Sequence, residues 1–179
     1  MVLVRKPETE LLQGVFTTFP ELSEWPTKDL YSKHPSRPDH WLYEGRADDI
    51  ISFSNGEKLH PLTIEQSIEA HPEIRNAIVI GASRLQPGLL LDPADQGLDV
   101  QGQKRLLDQV WPLVKQANSE TVTHGRISKR LICFTRSGKP LLRTRKGTVR
   151  RKLSVELYAE EINLLYETIN SEADLPFES

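Results

Sequence analysis

The chain has 179 residues, 37% hydrophobic, 7% aromatic and 27% charged. That is enough for one domain, or a small domain with an extension, to bury a core without covalent staples. A formal net charge of −2 argues against general electrostatic binding to nucleic acid. The single cysteine, Cys133, excludes an internal disulfide framework and a Cys-x-x-Cys metal site. The opening residues, Met1-Val2-Leu3-Val4-Arg5-Lys6-Pro7, hold no long apolar run. The expectation is therefore a cytoplasmic protein without a leader or membrane span.

Residues 1–44 read as irregular, because Pro7, Pro20, Pro26, Pro35 and Pro38 interrupt any long helix. Val2–Val4 and 14–19 are candidate strands, and the segment is expected to pack poorly alone. From Asp49 the pattern sharpens. Ile50-Ile51-Ser52-Phe53, then Asn55-Gly56, then Glu57-Lys58-Leu59 predicts a hairpin, with Asn-Gly supplying the positive φ of a tight turn. Pro61 opens a helix carrying Leu62, Ile64 and Ile68, which ends near His71-Pro72. Residues 74–82 predict a buried strand, and Leu89-Leu90-Leu91 a second, closed by Asp92-Pro93. A helix over 104–117 places Leu106, Val110, Leu113 and Ala117 together, with Pro112 expected to kink or split it. Leu131-Ile132-Cys133-Phe134 is a further strand, 136–151 a basic loop, and 154–170 a last helix with Tyr158, Ile162, Leu165 and Ile169 on one face. Residues 171–179 read as a tail.

This order predicts an α+β fold: a small, mainly antiparallel sheet covered by helices, preceded by a β-hairpin and an irregular N-terminal segment.

Two stretches carry more than fold. Trp41-Leu42-Tyr43-Glu44-Gly45-Arg46-Ala47-Asp48-Asp49 runs into Ser54-Asn55-Gly56-Glu57-Lys58. Much later comes Leu142-Arg143-Thr144-Arg145-Lys146-Gly147-Thr148-Val149-Arg150-Arg151. Together they resemble the C-terminal part of adenylate-forming enzymes, the superfamily of acyl-CoA synthetases, luciferases and peptide-synthetase adenylation domains. The wording is most similar to fungal reductase-type adenylation domains. The resemblance implies that 1–47 end the large N-terminal domain and that 48–170 form a mobile C-terminal lid. It implies ATP as the nucleotide, with Mg2+, and two partners: the large adenylation domain and a phosphopantetheine carrier domain.

Residue by residue, Thr27-Lys28-Asp29 resembles a Thr-Gly-Asp motif whose aspartate accepts from the ribose hydroxyls, a task that suits a carboxylate. Lys28 stands where the motif has glycine. Arg46 resembles the arginine near the ribose and phosphates, and Asp48 the hinge. Gly56 and Lys58 resemble the loop lining the thiol tunnel. Lys146 resembles the adenylation lysine, a mobile ammonium suited to charge that builds as pyrophosphate leaves. Ser137-Gly138-Lys139 competes for that role, and the Arg-Thr-x-Lys-Gly-Thr context favours Lys146.

Taken singly these features are ordinary. Arg46 with Asp48 and Asp49 reads as a surface ion-pair cluster, Asn55-Gly56 as a turn, and 143–151 as a solvated basic face. Their joint order over more than a hundred residues carries the argument. His34, His40, His60, His71 and His124 show no ligand spacing, so no metal site is expected. Cys133, Trp111, Tyr158 and Tyr166 read as core. The ten glycines are dispersed and form no phosphate-binding loop. The chain is therefore expected to be inactive without the large domain and to hold nucleotide weakly. A free-standing, non-catalytic remnant acting as a protein-interaction module is the alternative.

Overall fold

A computed structural model describes residues 1–173, which divide into one unit over Met1–Ile50 and a second beginning at Ile51. In the first, β1 (Val2–Val4) pairs antiparallel with β2 (Glu24–Pro26). Between them lie a 3-10 turn over Pro7–Leu12 and a short helix, α1 (Gly14–Thr18). The stretch 14–19, expected as strand, is thus largely helical. The Gln13 side chain takes up two backbone groups at the end of β1, accepting from the Lys6 N–H at 3.1 Å and donating to the Val4 carbonyl at 2.9 Å. One helical turn then buries Phe16 under the Arg5 guanidinium, while Phe19 stacks on Trp25 at 5.2 Å. β3 (Asp29–Lys33) and β4 (Trp41–Arg46) form a second antiparallel pair, with an irregularity between Leu30 and Tyr31. The prolines fall in connections or at a strand end, where no ladder N–H is lost. Residues 1–44 are therefore more ordered than their proline content suggests. A 3-10 turn over Ala47–Asp49 follows.

The second unit opens with the expected hairpin, β5 (Ile51–Ser52) and β6 (Lys58–Leu59). Its turn is closed by the Gly56 N–H donating to Phe53 O at 3.0 Å and the Phe53 N–H donating to Glu57 O at 2.9 Å. Gly56 alone of the turn residues takes positive φ, at +85°, so the turn is a longer loop with one left-handed glycine. α2 (Leu62–Glu69) follows Pro61 and stops at Ala70, ahead of His71-Pro72. β7 (Ile74–Ile80) and β8 (Gly88–Pro93) pair antiparallel. α3 (Val100–Glu120) crosses to β9 (Ile132–Phe134), which lies parallel to β8. α4 (Arg151–Leu157) and α5 (Ala159–Ala173) complete the unit.

The strand period of two sorts the core into two layers. Ala77, Val79, Leu89, Leu91 and Ile132 meet α2, α3 and the hairpin's Ile51, Phe53 and Leu59. Ile78, Ile80 and Leu90 face the other way, onto Leu141, Tyr158, Ile162 and Tyr166. The central strand is covered on both sides, and Leu89, Leu90 and Leu91 are all 0% exposed. Each such leucine stabilises the fold by about 1.5–3 kcal/mol. The outer edge of β7 is closed by side chains of α2. The Val79 N–H donates to Glu65 at 2.7 Å and the Ala77 N–H to Glu69 at 3.0 Å. The i, i+4 rise of a helix nearly matches two residues of strand, so one helix can serve alternate strand donors.

Three helical expectations change. Pro112 does not split α3, which is one element from 100 to 120. Pro112 and Asp108 both lie on the exposed side, where the carbonyl freed by the missing N–H can meet water. The last helix starts earlier, at Arg151, and breaks at Tyr158 into α4 and α5. It also reaches Ala173, so 171–173 are helical; the rest of the expected tail, 174–179, lies outside the described residues.

Candidate functional site

The sequence motifs collect at three places. In the first unit, the β3–β4 register sets Asp29 opposite Arg46. The Arg46 guanidinium reaches Asp29 Oδ1 at 3.5 Å and Asp48 Oδ2 at 3.1 Å, and Lys28 Nζ reaches the same Asp48 oxygen at 3.3 Å. Burial pushes the Asp48 carboxyl up, but the hydrogen bonds from Arg46 and Lys28 outweigh it and hold it below the usual carboxylate range. Among the described residues Asp29 spends only Oδ1, at the long limit of a bond, leaving Oδ2 to accept from other donors. Lys28 adopts φ +64°. That left-handed backbone explains why a glycine suits the middle of this tripeptide and why lysine there carries strain. The Lys28–Asp48 pair was not anticipated from sequence.

At the second place, the β5–β6 hairpin presents Gly56 at its turn and Lys58 on its exposed side. His124 braces it: Nε2 lies 3.3 Å from Lys58 O and 3.6 Å from Glu57 Oε2, and its ring meets Phe53 edge-on.

The third place is a hairpin within the basic loop. Arg143 bridges to Val149, the Thr144 N–H donates to Thr148 O at 2.8 Å, and the Gly147 N–H donates to Thr144 O at 3.0 Å. Gly147 takes φ +84°, which supplies the reversal. Lys146 sits at the exposed tip, and its ammonium makes no hydrogen bond or ion pair among the described residues. Lys139 is in the opposite situation. Its ammonium holds both Glu161 oxygens, at 2.7 and 2.9 Å, and lies 4.7 Å from the Tyr158 ring centre. That hydrogen bond outweighs burial and holds Glu161 below the usual carboxylate range. No hydrogen bond or ion pair joins Lys146 to the Gly56–Lys58 hairpin among the described residues.

Sequence reasoning missed the groups beneath the Lys146 hairpin. Arg143 donates to Gly147 O at 2.9 Å, to Asn76 Oδ1, and to Asp92 Oδ2 at 3.4 Å. Arg151 pairs with the buried Glu65. The available signal was a carboxylate at the end of Leu89-Leu90-Leu91, since an acid there must find a partner. A groove of about 620 Å³ beside β9, lined by Leu107, Phe134, Leu165 and Ile169, contains none of the predicted site residues. Among the described residues no three His, Cys, Asp or Glu side chains converge, and no helix is long and apolar enough to cross a membrane. Tyr166 is a core group as expected, whereas Cys133 is only partly buried against the same cluster and lines the groove beside β9, with desolvation pushing its thiol up to about 12.

With this geometry in view, the likeness to known proteins is specific. The family described as AMP-binding enzyme C-terminal domain matches residues 48–170, and the chain belongs to that family. It is 48% identical to a carboxylic acid reductase of Neurospora crassa, over 93% of this chain and 16% of that protein. It is 36% identical to the adenylate-forming reductase Nps11 of Serpula lacrymans, over 94% of this chain and again 16% of the relative. The chain thus spans about a sixth of these relatives. Among solved structures, the adenylation domain of a Segniliparus rugosus carboxylic acid reductase, bound to AMP and a co-purified carboxylic acid, superposes with a TM-score of 0.64. It covers 86% of this chain and 25% of that one at 16% identity, which establishes a common fold. The adenylation–carrier didomain of the same enzyme gives 0.63, over 84% of this chain and 21% of that one, at 16% identity.

Proposed function

We propose that this chain is the C-terminal part of a reductase-type adenylate-forming enzyme, and that residues 48–170 act as its moving lid. The observation that carries the reading is the contrast between two lysines. Lys146 ends an exposed hairpin with its ammonium unpaired among the described residues, whereas Lys139 is spent on Glu161. A lysine that must enter another domain's site has to be unpaired in its own.

In the first half-reaction a carboxylate oxygen attacks the α-phosphorus of ATP and pyrophosphate departs. Lys146 contributes a positive charge beside the carboxylate and α-phosphate as negative charge is redistributed. Asp29 Oδ2 accepts from the ribose hydroxyls, and Arg46, already beside Asp29, donates toward the ribose and phosphates. Mg2+, bound mainly through phosphate oxygens, needs no cage of carboxylates here, and among the described residues no three His, Cys, Asp or Glu converge to form one. In the second half-reaction the chain pivots at Asp48, and the Gly56–Lys58 hairpin lines the path of a phosphopantetheine thiol. The sulfur attacks the acyl carbonyl and AMP leaves. Positioning of this kind requires a floor that holds ATP and the acid, so the chain alone forms no acyl-adenylate at a useful rate. The 48% identity to the Neurospora relative supports a carboxylic acid as substrate and a carrier-bound thioester on the way to reduction.

The test is ATP–pyrophosphate exchange by the full-length polypeptide carrying this segment. Lys146→Ala should lower exchange by about 10²–10³-fold, the scale for removing one positioned charge-stabilising donor. Undiminished exchange in that variant removes the lysine from the mechanism.

A further inference from the structure

We infer that the Arg143–Asp92 pair is a positioning device that fixes the backbone beneath Lys146 for the first half-reaction, an inference that rests on Lys146 being the adenylation lysine. Arg143 stands at the foot of the hairpin and touches both of its surroundings at once. Its Nη1 donates across the turn to Gly147 O at 2.9 Å, the carbonyl next to Lys146. Its Nη2 donates to Asn76 Oδ1 and to Asp92 Oδ2 at 3.4 Å. Asn76 and Asp92 are cross-strand partners in β7 and β8, so one guanidinium ties the hairpin to two strands of the central sheet.

The anchor is itself immobile. Asp92 is 2% exposed, and its Oδ1 accepts from Gln96 Nε2 at 2.8 Å and from Thr135 Oγ1 at 3.1 Å. The same foot is fixed a second time: the Leu142 N–H donates to the buried Ser154 Oγ at 3.0 Å, and the Arg150 N–H donates to Leu142 O at 2.7 Å.

A hairpin of this size closes without such an anchor. Its own bonds, Gly147 to Thr144 and the Thr144–Thr148 hydroxyl pair at 2.7 Å, already make the turn. Burying a carboxylate beneath it costs desolvation that a solvated loop would avoid. What the pair adds is restraint on the turn. The lysine side chain stays mobile, but its reach is measured from a fixed Cα. A reacting contact misplaced by an ångström loses about a hundred-fold in rate. Lysine cannot replace arginine here, because a single ammonium cannot bridge the strands and Gly147 O with a rigid fork.

The test uses the full-length polypeptide and reads the half-reactions separately: pyrophosphate exchange for adenylation, and thioester formation from supplied acyl-adenylate for transfer. Arg143→Gln and Arg143→Lys should lower exchange by about ten- to a hundred-fold, mainly in kcat, with transfer within about two-fold. The double variant Asp92→Asn with Arg143→Gln, which leaves no lone buried charge, should show the same loss while folding. Combined with Lys146→Ala, Arg143→Gln should add no further loss, because both act through one ammonium. Equal losses in exchange and transfer, or an additive loss in the Lys146→Ala background, would overturn the positioning role. So would full exchange in Arg143→Gln. If Lys146→Ala itself retains exchange, the lysine assignment fails, and that result is distinct from failure of the anchor.

Discussion

Exchanging the fates of the two lysines separates structure from chemistry. Lys139→Ala removes a bidentate contact to Glu161 and a cation over the Tyr158 ring. The Lys139 side chain is 29% exposed and Glu161 11%, so the pair is screened less than an ordinary surface pair. Taking about 0.5–1 kcal/mol for the ion pair and about 0.5–1 kcal/mol for the cation–π contact, the cost is about 1–2 kcal/mol. Among the described residues Lys146 has no partner to lose, so Lys146→Ala should change stability by less than about 0.5 kcal/mol. Urea unfolding of the 179-residue chain measures both stability changes, and pyrophosphate exchange in the full-length polypeptide measures the effect of each variant on adenylation. The expected pattern is reciprocal: Lys139→Ala weakens folding with exchange within a few-fold, and Lys146→Ala folds normally with exchange lost. If Lys139→Ala abolishes exchange at unchanged stability while Lys146→Ala does not, the geometric reasoning is wrong.

Other outcomes follow from the core and its charges. Leu90, in the central strand with both faces covered, should cost about 3–5 kcal/mol when cut to alanine, read as a lower urea midpoint with an unchanged slope. Glu161 is held below the usual carboxylate range, chiefly by the Lys139 hydrogen bond. Its contribution is therefore complete above the unfolded value near 4.3 and is lost as pH falls through the lower folded value. Glu161→Gln should flatten that part of the acid limb of the stability profile; an unchanged acid limb would contradict the assignment. The Cys133 thiol, pushed up to about 12 by burial, should resist alkylation by iodoacetamide at pH 8 in the native chain and react once the chain is unfolded. Rapid native labelling would contradict the raised thiol and show that the reagent reaches it through the groove it lines.

The fold of the second unit was legible where burial and period coincide. Ala77-Ile78-Val79-Ile80 and Leu89-Leu90-Leu91 are apolar on both faces, and both are strands buried between helical layers, the second central and the first with its outer edge closed by α2. The breaks were harder. Proline in 1–44 suggested an irregular segment that packs poorly, yet a proline at a strand end or in a connection costs no ladder bond, and two strand pairs form. Pro112 suggested a split that an exposed carbonyl avoids. At the candidate site, the proximity of Arg46 and Asp48 was legible from spacing, but that of Asp29 to Arg46 follows from a strand register that sequence spacing alone does not state. The anchors Asp92, Asn76 and Glu65 were invisible as functional groups because their partners lie 51, 67 and 86 residues away along the chain. Long-range ion pairs leave no periodic trace; the only trace was a carboxylate out of place in an apolar run.

The central claim is that one segment serves two half-reactions by turning about Asp48. The most direct measurement is to compare both half-reactions in the full-length polypeptide bearing Asp48→Pro, with Asp48→Ala controlling for loss of the Arg46 and Lys28 contacts. Proline fixes φ near −65° and restricts the preceding residue, which stiffens the pivot. The account predicts that proline, unlike alanine, uncouples the pair: one half-reaction stays within a few-fold while the other falls by about 10². Proline and alanine variants that lose both half-reactions in equal measure, or lose neither, would contradict it.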